Sequence, residues 1–100
     1  MSRRDARRHL IAYDIPDDKR RARVAKALGA YGDRVQYSVF VVDAAPVRLA
    51  RLEREVDALI HPEADSVLLC DLGPTAGVEE DRFTWIGRRR QVTGPSSFIV

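Results

Sequence analysis

The alternation of apolar and polar positions along this chain predicts a regular succession of strands and helices. An apolar run bounded by Pro16 predicts a first strand at about residues 8–14. Asp17 is a favourable N-cap for a following helix, which we expect to reach about Tyr31 and to stop at Gly32. The apolar stripe of that helix comprises Val24, Leu28 and Tyr31.

The middle of the chain repeats this order. Residues 35–42 are β-branched and aromatic, which is typical of one long strand or of two short strands with a kink near residues 37–38. Pro46 suits the start of a second helix, which His61-Pro62 ends. Residues 66–72 are apolar on both faces and predict a central strand. The stripe of the second helix comprises Leu49, Leu52, Val56 and Leu59.

The last quarter is less regular. Residues 83–86 are compatible with a short strand, and we expect the apolar end 98–100 to pack on a sheet edge, in this chain or in a partner's. We therefore predict one α+β domain over residues 1–100, with a core at about 8–72 and a C-terminal strand or tail at about 78–100. The element order is that of a ferredoxin-like βαββαβ sandwich with extra C-terminal strand material, a fold that hosts many functions.

Composition adds a preference for arginine. Apolar residues make up 45% of the chain and charged residues 32%, which is ordinary for a globular protein. Fifteen of the seventeen basic residues are Arg, the better bidentate ligand for phosphate, although a GC-rich genome also favours Arg codons. The lone cysteine, Cys70, is expected to be a small core residue. The basic N-terminus has no apolar signal region, and we expect a cytoplasmic protein.

Asp14 is the residue most suited to chemistry. It stands at the carboxyl end of the first predicted strand, where α/β units collect their functional groups. Mg²⁺ or Mn²⁺ can be held by one or two carboxylates and several waters, and a two-fold axis would bring two copies of Asp14 to one ion. The residues alone leave an alternative open, in which Asp14 only binds backbone amides in the turn through Pro16.

Arginines surround this position in the sequence and are candidate nucleic-acid ligands. On a helix they also fit a solvated face, and Arg34 also fits an edge-strand charge. The groups at residues 3–8 and 88–90 are interpreted as mobile basic flanks, which bind nucleic acid through salt-sensitive contacts. The candidates are Arg20, Arg21, Arg23, Arg34, Arg88, Arg89 and Arg90, with Tyr13 as a phosphate-orienting or core residue.

Two stretches of this sequence resemble a known family. They are Tyr13-Asp14-Ile15 with residues 17–24, and the run Arg34-Val35-Gln36-Tyr37-Ser38-Val39-Phe40. Their content and separation are similar to those of the second universal CRISPR-associated protein, the small subunit of spacer acquisition. The resemblance is specific over residues 8–43 and extends to about Leu72 by pattern only.

The resemblance implies a symmetric homodimer with a ferredoxin-like fold. It implies that Asp14 of each chain faces the two-fold axis and is the catalytic residue and the ligand of Mg²⁺ or a similar ion. It implies a partner, the first universal CRISPR protein or integrase, and duplex DNA as ligand, with cleavage of RNA or DNA in some members. The supporting residues are Tyr13, Arg21, Arg23, Arg34, Phe40 and, within the same motif, Ser38.

Four functional hypotheses follow. The first is a CRISPR adaptation subunit with metal-dependent endonuclease activity. The second is a purely structural scaffold that bridges the integrase and binds duplex DNA without cleaving it. The third is a toxin-type ribonuclease of the VapD group, and the fourth is a small-ligand regulatory module of the same fold class.

Overall fold

The computed structural model describes residues 5–77 and 82–88 and contains four strands and two α-helices. The elements are β1 (Arg7–Asp14), α1 (Asp18–Gly29), β2 (Gly32–Gln36), β3 (Val39–Ala44), α2 (Pro46–Leu59) and β4 (Ser66–Pro74), followed by a 3₁₀ turn (Thr75–Gly77). The strands form one antiparallel sheet in the order β2-β3-β1-β4. This confirms the predicted ferredoxin-like α+β fold.

The core lies between the sheet and the two helices, which cover the same face. Val24 and Leu28 of α1 and Leu52 of α2 are almost fully buried against Ile11 and Val42 of the sheet. Alternation along the strands leaves the other face free of helices. That helix-free face carries the residues Leu10, Ala12, Asp14, Val39, Val41, Leu68 and Cys70.

Local sequence signals set the element boundaries. The Asp17 carboxylate accepts a hydrogen bond from the Arg20 backbone N–H (2.8 Å) and caps α1, as predicted. The helix ends at Gly29, slightly before the expected limit, and Gly32 already belongs to β2. A Cβ at Gly32 would collide with the Val41 carbonyl oxygen, so only glycine allows β2 to approach β3 this closely.

The predicted run 35–42 is two strands joined by the turn Tyr37–Ser38, which decides between the two alternatives. Three other expectations were wrong. Strand β4 pairs only with β1 among the described residues and is an edge strand, not a central one. Cys70 is exposed rather than part of the core, and residues 83–86 are not a strand. The predicted strand or tail at 78–100 otherwise lies outside the described residues, as do residues 98–100.

Candidate metal and nucleic-acid site

Asp14 is the last residue of β1 and is exposed at the edge of the folded core. Its register partner is Ser66 of β4, and no hydrogen bond or ion pair to its carboxylate is present within the described part of the chain. The hydrogen bond to a backbone amide at this turn is made by Asp17, which caps α1, and not by Asp14. The carboxylate of Asp14 is therefore available to a cation, and nothing local accounts for it.

Tyr13 fastens the β2–β3 turn to this strand end. Its backbone N–H donates to the Ser38 carbonyl oxygen at 3.0 Å, and its hydroxyl donates to the Tyr37 carbonyl oxygen at 3.2 Å. The ring is 6% exposed and stacks on Phe40 with centroids 6.3 Å apart. Tyr13 and Phe40 are therefore core residues. The polar atoms of Tyr13 hold the turn beside Asp14, and Ser38 takes part through its backbone.

Arg34 lies over this aromatic pair. Its Nη2 donates to the Tyr13 hydroxyl at 3.2 Å, while its guanidinium carbon lies 5.3 Å from the Phe40 ring centroid and 5.6 Å from that of Tyr37. The backbone position is exposed on β2, opposite Phe40 of β3. The side chain is thus a cation held in place by three contacts, and a guanidinium group can pair with a phosphate.

Arg21 secures the turn between β1 and α1. Its Nη1 donates to the Ile15 carbonyl oxygen at 2.9 Å, and its Nη2 pairs with Asp18. Its guanidinium carbon also lies 6.0 Å from the Tyr37 ring centroid. The hydrogen bond with Asp18 raises the pKa of Arg21, so the group stays charged.

Arg20 and Arg23 lie on the same helix but have different surroundings. Both Nε (2.7 Å) and Nη2 (3.0 Å) of Arg20 donate to Asp65, whose side chain is fully buried and also accepts from the His61 N–H at 2.8 Å. This pairing lowers the pKa of Asp65 and ties α1 to the turn before β4. Arg20 therefore has a structural partner, whereas Arg23 is exposed.

The basic flanks differ from expectation where the structure describes them. Arg7 and Arg8 are residues of β1, not a mobile flank, because Asp71 and Asp43 face them across the sheet. Arg8 pairs with Asp43 through two bonds of 2.7 and 2.8 Å and is buried. Arg88 is exposed, while Arg89 and Arg90 lie outside the described residues, as do residues 3 and 4.

The site has two sides. Tyr13 points to the helices, so alternation turns Asp14 toward the helix-free face. The other residues of the site lie at the same end of the sheet, on the side of Tyr13, and contact one another. They are here called the arginine–tyrosine cluster, which comprises Tyr13, Arg21, Arg34 and Tyr37. The structure brings these residues together and leaves Asp14 next to them, on the opposite face.

Sequence reasoning did not single out two residues that contact the predicted arginines, namely Tyr37 and Asp65. Tyr37 lies within a run of apolar residues, and only its place in the turn, where small polar residues are usual, distinguishes it. Asp65 lies 45 positions from Arg20, and no local pattern connects the two.

Oxygen chemistry at this strand end fits a hard divalent cation only in part. Within residues 5–77 and 82–88, no group of three or more His, Cys, Asp or Glu side chains converges. One carboxylate fits Mg²⁺ or Mn²⁺ when water and a second carboxylate complete the shell. A second copy of the chain would supply that carboxylate.

A groove lies elsewhere on the molecule. It has a volume of about 490 Å³ and lies between α2 and β4, lined by residues such as Leu52, Val56 and Leu69. Asp14 and the arginine–tyrosine cluster do not border it. The candidate site is thus an open surface, which suits an extended ligand better than a small enclosed one.

No helix among the described residues is long and apolar enough to cross a membrane.

Comparison with known proteins agrees with the fold and with the motifs at this strand end. The family model for CRISPR associated protein Cas2 matches residues 7–76. A CRISPR-associated endoribonuclease Cas2 of Rhodospirillum rubrum is 50% identical over 60 residues, covering 60% of this chain and 48% of that protein. The chain thus spans about half the length of this relative.

Solved structures give the same relationship. Streptococcus pyogenes Cas2, in a crystal structure at pH 6.5, superposes with a TM-score of 0.71 at 28% identity and covers 80% of this chain and 99% of that one. A chain of a partial Cas6-RT-Cas1–Cas2 complex superposes with a TM-score of 0.54 at 30% identity, over 63% of this chain and 77% of that one. The chain belongs to the CRISPR associated protein Cas2 family.

Proposed function

We propose that this protein is a spacer-acquisition subunit that binds duplex DNA, bridges the CRISPR integrase and has metal-dependent endonuclease activity centred on Asp14. The observation that carries the catalytic part is the exposed Asp14 carboxylate, which has no partner among the described residues. Relatives named endoribonucleases support a nuclease, and the Cas1–Cas2 complex supports an integrase partner.

The proposal requires a homodimer built on the helix-free face. A chain of this size buries only about two-thirds of its unfolded surface, and this face presents Leu68 with 63% of its area exposed. Packing of two such faces about a two-fold axis would bury Leu68 and Cys70 and bring both Asp14 side chains toward the axis.

Each residue then has a separate task. The two Asp14 carboxylates would hold Mg²⁺ or Mn²⁺, which when bound supplies Lewis-acid polarisation of a phosphate oxygen or an activated water. Arg21 and Arg34 bind backbone phosphates at the same sheet end, with the exposed Arg23 and Arg88 adding salt-sensitive attraction. Tyr13 holds Arg34 and the turn in place.

The test is cleavage of labelled single-stranded RNA and duplex DNA by wild type and Asp14→Asn with Mg²⁺, Mn²⁺ or EDTA. Asp57→Asn is the matched control, because it removes one exposed carboxylate from α2 with the same change in charge. We expect cleavage that EDTA and Asp14→Asn abolish and that Asp57→Asn preserves, with binding retained throughout. Cleavage that persists in EDTA would refute the role of Asp14.

A scaffold without cleavage remains the second candidate, and one observation favours it. The arginine–tyrosine cluster is complete within one chain, whereas the carboxylate site is not. Binding of duplex DNA and of the integrase, with no cleavage by wild type under any of these ions, would assign the protein to that role.

A further inference from the structure

The exposed ring of Tyr37 is a feature that neither the fold nor the metal site explains. It occupies the tip of the β2–β3 hairpin with 66% of its area exposed. Isolated apolar residues are common on surfaces. This one differs because its backbone is fixed by Tyr13 and because two anchored guanidinium groups lie over its ring.

The geometry points to a binding subsite for an unpaired nucleobase on the Tyr37 ring, an inference that rests on the proposed function because it supposes a nucleic-acid ligand. Arg21 and Arg34 lie 6.0 and 5.6 Å from the ring centroid, and each is held by a further hydrogen bond. Both guanidinium groups therefore lie over the ring at cation–π distance. The residue still has 66% of its area exposed, so part of the ring is open to a base.

This arrangement suits one nucleotide at a time. A base can stack on the ring while the phosphates on either side of it meet the two guanidinium groups. Every base offers a π face, so the subsite is tolerant of sequence. Bases inside a duplex are already stacked on both sides, and the ligand class is therefore a single strand or the single-stranded end of a duplex, of DNA or RNA.

The subsite is also preorganised in the free protein. The turn accepts hydrogen bonds from the Tyr13 backbone (3.0 Å) and hydroxyl (3.2 Å), so little backbone freedom is lost on binding. Arg34 is fixed by the same hydroxyl. A tyrosine ring itself has few rotatable bonds and loses little entropy when a base covers it.

The experiment compares wild type, Tyr37→Leu and Tyr37→Phe in binding labelled oligonucleotides by fluorescence anisotropy. Leucine keeps an apolar side chain without a ring, and phenylalanine keeps the ring without the hydroxyl. The probes are single-stranded DNA, single-stranded RNA, a blunt duplex, and a strand of abasic units with the same number of phosphates. The DNA and RNA arms show which strand the subsite prefers.

We expect Tyr37→Leu to weaken single-strand binding by about tenfold, since stacking of one base contributes on this scale. Tyr37→Phe should bind as wild type does, and Tyr37→Leu should not alter binding of the blunt duplex or the abasic strand. An equal loss on all four probes would mean that Tyr37 only positions the arginines, and an unchanged single-strand affinity would mean that no base stacks there. Either result overturns the inference.

Asp14→Asn separates this inference from the proposed nuclease. If wild type cleaves with none of the ions and still shows the single-strand preference that Tyr37→Leu removes, the subsite stands and the nuclease proposal fails. If cleavage depends on Asp14 while Tyr37→Leu binds all probes normally, only the subsite fails.

Discussion

The buried ion pair between Arg8 and Asp43 gives the sharpest test of how this small sheet is stabilised. The two residues are cross-strand partners on β1 and β3, and bidentate hydrogen bonds of 2.7 and 2.8 Å join them. Their side chains are only 5% and 15% exposed. The substitution Arg8→Met keeps the length of the side chain and leaves the Asp43 carboxylate without this partner.

The expected loss follows from burial. Removing one member of a buried pair costs about 3–5 kcal/mol because the other charge is left in a poorly solvated place. Asp43 keeps some contact with water, which favours the lower end, about 3 kcal/mol. A domain has about 5–15 kcal/mol of stability in total, so this one substitution removes a large part of it.

Urea denaturation at one fixed protein concentration measures the effect, since a dimer's stability depends on concentration. With an m-value of about 1–3 kcal/mol/M, the midpoint should fall by roughly 1–3 M. Replacing both residues, as Arg8→Met with Asp43→Leu, should restore most of the stability because no charge is then left buried.

The neighbouring pair is the matched control. Arg7 of β1 and Asp71 of β4 form an ion pair with a distance of 2.9 Å, but their side chains are 41% and 48% exposed. Arg7→Met should therefore have a much smaller effect than Arg8→Met. Equal falls in the midpoint for the two variants would refute the argument that burial determines the cost.

Two further predictions concern the α1 anchor and the dimer. The hydrogen bonds from Arg20 lower the pKa of Asp65, so its stabilisation is complete above the unfolded-state pKa of about 4 and is lost as pH falls through the lower folded-state value. The difference in free energy of unfolding between wild type and Asp65→Asn, measured by urea denaturation, should therefore shrink as the pH is lowered. A difference that stays constant with pH would contradict this. Leu68→Arg places a charge on the helix-free face and should convert a dimer to a monomer by light scattering, whereas Val47→Arg, exposed on α2, should not.

Local signals in the sequence were sufficient for most of the fold. The cap at Asp17, the proline that begins α2 (Pro46) and the stripe with Val24 and Leu28 act within a turn or two of chain, so the sequence shows them directly. Position in the sheet is different. Strand β4 is apolar on both faces, as a central strand would be, yet it lies at the edge of the sheet that the described residues form. A sheet face that another chain covers has the same apolar pattern as a sheet face that is covered by elements of its own chain.

The candidate site divides in the same way. The position of Asp14 at the end of β1 was predictable because strand ends and carboxylates are both visible in the sequence. The arginines were not separable, since Arg20, Arg21 and Arg23 have the same chemistry and only distant partners distinguish them. Asp65, which is distant in the sequence, accepts hydrogen bonds from Arg20. The β2–β3 hairpin places the Tyr37 ring in contact with Arg21.

The opposed directions of Asp14 and the arginine–tyrosine cluster limit how binding and cleavage can be connected. Both lie at the same end of the sheet, but alternation along β1 turns the carboxylate to the helix-free face and Tyr13, with Arg34 on its hydroxyl, toward the helices. In the proposed mechanism, a strand held by the cluster would have to pass around the sheet end to reach a carboxylate site shared by two chains. The proposal therefore predicts that binding needs only one chain and an intact hairpin, whereas cleavage also needs the dimer. A variant that dissociates the dimer should lose cleavage first and retain single-strand binding at Tyr37.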